Sequence, residues 1–95
     1  MPLTSFEELP GSARLWIFAA DHELSDSDSD RLLGEIDRFL MEWTAHRSHL
    51  TAGRDWKFKR FLFIGVDESA AGASGCSVDA LVREIQRLEK AIGVT

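Results

Sequence analysis

Apolar residues along this chain fall into blocks of two different periods. ARLWIFAA (Ala13–Ala20) is apolar and aromatic, too short for a helix, and reads as a first strand. LSDSDSD follows, with Ser25 and Asp28 spaced as in a capping box and Asp26, Asp28 and Asp30 suited to the positive end of a helix dipole. Leu32, Leu33, Ile36, Phe39, Leu40 and Trp43 then recur at helical spacing, which predicts a helix from about Asp26 to about Ala45 with one buried face. LTAGRDWKFK and RFLFIGVDE read as second and third strands joined by a tight hairpin near Lys59, although no Asn-Gly or Asp-Gly pair marks the turn. The small residues SAAGASG form a loop. Val78, Leu81, Val82, Ile85, Leu88 and Ile92 give a second helix, closed by Gly93 in a left-handed cap.

Strand, helix, strand, strand, helix is the order of an α+β, ferredoxin-like split βαββα: a three-stranded antiparallel sheet with two helices on one face. Residues 1–12 form an N-terminal arm and residues 13–95 a single domain. The fourth strand of that fold is missing or supplied by a partner, which leaves the first strand as an exposed edge. Side chains alternate across a strand, so the aliphatic sets Leu15, Ile17, Ala19 and Leu62, Ile64, Val66 are expected to meet the helices. The other face then carries Trp16, Phe18, Trp56, Phe58, Phe61 and Phe63. Such a patch is larger than a monomer usually exposes, and it predicts a homodimer stacked through these aromatics, or coverage by another protein partner or by the chain's own N-terminal arm.

Composition narrows the functional classes. The chain has 95 residues, 44% hydrophobic and 28% charged, which suits one small globular domain. A net charge of -5 disfavours nucleic acid and anionic membrane as general partners. Arg54, Lys57, Lys59 and Arg60 are a local exception, opposed by Asp55, and with the aromatic face they leave single-stranded nucleic-acid binding as an alternative. KFKRFLFIGV nevertheless lacks the glycine that follows the basic residue in the RNA-recognition signature. No apolar run approaches the roughly 18 residues of a membrane span, and no basic-then-apolar leader precedes Glu7 and Glu8. The single cysteine excludes an intramolecular disulfide, and a cytoplasmic protein is expected.

Candidate chemistry concentrates at ASGCSVD. Ser74, Gly75, Cys76 and Ser77 stand at the start of the second helix, where backbone N–H groups and the dipole favour an anion or a thiolate. Either Ser74 or Ser77 can cap the helix with Asp79 in its first turn, in which case Cys76 is a small buried filler. The other reading is a thiol-dependent enzyme or redox protein using Cys76, with His46 as a possible base. His46 and His49 otherwise suit the carbonyl end of the first helix, and with no thiolate or carboxylate pattern nearby they do not form a metal site. No cofactor is expected.

WTAH, RFLFIGVDES and ASGCSVDALVREIQRLE together resemble a group of short bacterial proteins of unknown function that carry the name ABC transporter ATPase. The resemblance spans Arg14 to Gly93, and its most specific piece is ASGCS-[IV]-D, matched by Ala73 to Asp79. The name implies ATP hydrolysis, but the sequence has no G-x-x-x-x-G-K-[ST] loop, so an ATPase is not expected. Members of the group continue past the second helix, whereas this sequence stops at Thr95, which points to closure of the sheet by a partner. The reading these observations favour is a small homodimeric α+β module, not an enzyme, that binds a partner or a small anionic ligand.

Overall fold

The computed structural model describes residues 6–45, 48–68 and 74–93. The main strands are β1 (Arg14–Ala19), β4 (Thr51–Lys57) and β5 (Phe61–Asp67); α1 (Asp26–Glu42) follows β1, and α2 (Gly75–Ile92) follows β5. Two further strands, β2 (Thr44–Ala45) and β3 (Ser48–His49), form a small antiparallel ribbon that the sequence pattern did not reveal. The three-stranded sheet is antiparallel in the order β1-β5-β4. With both helices packed together on one side, this is an α+β arrangement whose strand order is that of a ferredoxin-like sheet, without a fourth strand among the described residues.

The helix ends follow their local chemistry. Ser25 caps α1, its hydroxyl accepting the Asp28 N–H at 3.1 Å. α1 stops at Glu42 rather than near Ala45, because Trp43 adopts an extended conformation and turns its indole into the core. α2 begins at Gly75, three residues before the first apolar position of its stripe, and ends at Gly93 with φ 85°, a left-handed cap.

The strand register corrects the expected faces. Trp16 pairs with Ile64 and Phe18 with Leu62, while Trp56 also pairs with Leu62. Residues directly opposite across strands share a face, so Trp16, Phe18 and Trp56 lie on the helix side with buried Leu62, Ile64 and Val66. The open face instead carries Leu15, Ile17, Ala19, Phe61 and Phe63. Phe58 belongs to neither face: it sits in the β4–β5 turn, 76% exposed. Both sets on β1 are apolar, and the larger area of Trp16 and Phe18 is the one that gains from the core.

Part of the open face is covered by the chain itself. A single 3₁₀ turn, Phe6–Glu8, lies against it, with the Phe6 and Phe63 rings 6.3 Å apart. The approach is close enough that a Cβ on Gly65 would stand 2.6 Å from Leu9 Cδ1 and 3.3 Å from Phe6 Cε1. On the β1 side Leu15 and Ile17 remain 47% and 57% exposed.

The β4–β5 turn has positive φ at Phe58 (58°) and Lys59 (56°), and the Arg60 N–H donates to the Lys57 carbonyl at 3.1 Å. Positive φ at both central residues is the hairpin geometry that Asn-Gly normally supplies. Here tertiary bonds impose it. The Leu24 N–H donates to the Lys59 carbonyl at 2.9 Å, the Ala20 N–H donates to the Arg60 carbonyl at 2.8 Å, and Lys59 Nζ reaches Asp26 at 2.7 Å.

Candidate functional site

The start of α2 packs beside the end of α1, and Trp43 joins them. Its indole Nε1–H donates to the Ser77 carbonyl at 2.8 Å in a buried setting, and its ring lies 5.5 Å from Phe39 and 6.0 Å from Trp16. Ser74 is the cap. Its hydroxyl accepts the Ser77 N–H at 3.2 Å, while Ser77 Oγ accepts the Ser74 N–H at 2.7 Å and donates to the Ser74 carbonyl at 2.8 Å. The two hydroxyls are therefore spent on each other, and Ser77 is buried. Both serines also line the groove onto which Cys76 opens. Asp79 lies beyond the first turn, because the helix starts at Gly75.

Cys76 is exposed, which corrects the expectation of a buried filler. It lines a groove of about 450 Å³ together with Phe39, Glu42, Trp43 and Ala80. The volume lies within the range of small-molecule sites. The charge does not favour an anion: Glu42 contributes a carboxylate to the same groove and opposes an anionic guest. His46 lies outside the described residues, and His49 is exposed on β3. Among the described residues no group of three His, Cys, Asp or Glu side chains could hold a metal ion.

The basic run is engaged within the fold. Arg54 makes a two-pronged pair with Asp37 of α1 at 2.8 and 2.9 Å, which raises its guanidinium pKa above the usual range through the hydrogen bond. Lys57 stands 3.9 Å from Asp55, Lys59 pairs with Asp26 at 2.7 Å, and Arg60 donates twice to the Ala20 carbonyl at 3.1 and 3.0 Å. With Trp16, Phe18 and Trp56 on the helix side, the stacking platform expected for single-stranded nucleic acid is not assembled. Sequence reasoning also missed the Trp56 Nε1–H, which is buried without a partner among the described residues and which no motif marks. Trp56 lines an apolar cavity of about 50 Å³ with Phe18, Leu62 and Ile85. That is far below the roughly 300–1,000 Å³ of ligand pockets, so it is a packing gap.

The fold and this surface define a small α+β domain whose sheet, among the described residues, has two unpaired edges, β1 and β4, and a partly covered apolar face. No family model, curated protein or solved structure matches the chain. No helix among the described residues is long and apolar enough to cross a membrane.

Proposed function

We propose that the chain is a self-associating cytoplasmic α+β module, and that a second copy joins it on the β1 side of the sheet. One observation carries this reading: Leu15 and Ile17 stand 47% and 57% exposed on an edge strand, on the same face as Phe61 and Phe63. At about 25 cal/mol per Å², covering such side chains favours association, whereas a lone monomer leaves them in water. Sedimentation velocity on wild type and Ile17→Glu tests the proposal. A dimer at tens of micromolar that becomes a monomer in the variant is expected, since Ile17 is too exposed for the charge to harm the fold. A monomeric wild type at that concentration ends this reading.

A second reading, a thiol-dependent function at the groove, is favoured by the exposure of Cys76 at a helix start. Its test is the pH dependence of Cys76 alkylation in the folded protein. A midpoint below about 7 that His46→Ala shifts upward supports it, and one near about 8.5 removes it.

A further inference from the structure

The hydrogen-bond phase of β1 shows which of its backbone groups face outward. The β1–β5 register runs without a break from Arg14↔Val66 to Ala19↔Phe61, and the Ala20 N–H donates to the Arg60 carbonyl at 2.8 Å just beyond it. That bond makes Ala19↔Phe61 a non-hydrogen-bonded pair, and bonded and non-bonded pairs alternate along an antiparallel ladder. Trp16 and Phe18 therefore spend their N–H and C=O groups on β5. Those of Leu15, Ile17 and Ala19 point away from the sheet, and among the described residues β5 is the only strand beside β1.

From this phase we infer that β1 pairs antiparallel with β1 of a second copy, centred on Ile17, so that the two sheets become one. This rests on the self-association proposed above and names its geometry. The register is self-complementary in two respects. Ile17 exchanges both bonds with Ile17 of the second copy, and Leu15 exchanges both with Ala19 at either end, so the outward groups meet outward groups. The same register places Trp16 opposite Phe18 of the second copy at non-hydrogen-bonded positions, where side chains come closest and aromatic pairs are favourable. Both rings are only partly buried in one copy, so pairing gives them new cover. At the ends of the pair Arg14, which lies over the Trp16 ring at 4.7 Å, falls opposite Ala20 of the second copy. β1 holds no proline or lysine that would block an added strand.

Amide hydrogen exchange on the wild-type protein, measured at about 5 and about 500 µM, reads the register directly. Trp16 and Phe18 amides should be protected at both concentrations. Those of Leu15, Ile17 and Ala19 should slow by about tenfold or more at the higher one. Ile17→Pro supplies the second arm, since it removes an N–H that β5 does not use. It should retain the wild-type circular dichroism and sediment as a monomer. If the wild type is a dimer whose Leu15, Ile17 and Ala19 amides stay unprotected, the copies stack face to face: the edge pairing is wrong while self-association stands. A wild type that is monomeric at tens of micromolar overturns both.

Discussion

Replacing Trp43 by phenylalanine tests how the two helices are joined. The ring stays in place beside Phe39 and Trp16, and the indole N–H to the Ser77 carbonyl, 2.8 Å long and buried, is lost. A typical buried bond of this kind contributes about 1 kcal/mol net, and the carbonyl keeps its place in the ladder of α2, so it is not orphaned. The smaller ring also gives up about 40 Å² of buried apolar area, roughly 1 kcal/mol at 25 cal/mol per Å². Together these amount to about 2 kcal/mol, or roughly 8–16 °C in Tm for a domain of this size. Trp43→Ala removes the whole side chain at a cost of about 3–5 kcal/mol, a large part of the 5–15 kcal/mol that holds such a domain folded. Urea unfolding followed by far-ultraviolet circular dichroism measures both. A Trp43→Phe midpoint within about 0.3 kcal/mol of wild type, with an unchanged slope, would show that the indole N–H does not tie α1 to α2.

Other expectations concern the sheet and its turn. A double-mutant cycle on Arg54→Met and Asp37→Asn should give a coupling of about 1 kcal/mol, the upper end for exposed pairs, because the contact is two-pronged and half-buried; a value below about 0.3 kcal/mol would reduce it to a surface pair. The hydrogen bond from Lys59, and after it the charge of Lys59, holds Asp26 below its ordinary value of 3.8. The stabilisation from this depressed carboxylate is full above 3.8 and is lost as pH falls through the lower folded value, and an NMR titration of Lys59→Met should return Asp26 to the ordinary range. Asp26 raises Lys59 above 10.5 in turn, so that contribution disappears as pH climbs past the raised value. Phe58→Asn should raise Tm by a few degrees, since asparagine tolerates φ 58° better by up to about 1 kcal/mol. A lower Tm would mean that the edge contact of Phe58 with Phe61, at 6.3 Å, outweighs the relief of backbone strain.

What the sequence made legible, and what it hid, can be traced to particular residues. The helices were readable because their signals are local: the stripe from Leu32 to Trp43, the caps Ser25 and Ser74, and the glycine at 93 each act within a few residues. Face assignment on β1 was not readable. Its two alternating sets, Leu15–Ile17–Ala19 and Trp16–Phe18, are both apolar, so parity carries no polarity signal and only the register with β5 decides it. The exposure of Cys76 likewise depends on α1, which ends early because Trp43 turns inward. Trp43 itself looked like one more position of a helical stripe, yet it is the residue that fastens the start of α2.

The turn at Phe58 and Lys59 has a kinetic meaning. A hairpin with favourable turn residues closes on its own within about 1–10 µs, ahead of the rest of a chain. Here the turn residues resist the required backbone, and the bonds that impose it come from Ala20 and Leu24, with Arg60 and Ala20 separated by 40 positions in sequence. The β4–β5 pair is therefore expected to be a poor early local nucleus, since the bonds that hold its turn come from the β1–α1 connection, whose long closure carries its entropy cost before any contact rewards it. The expected outcome is a folding rate that responds to substitutions in residues 20–26 as strongly as to those in the hairpin itself.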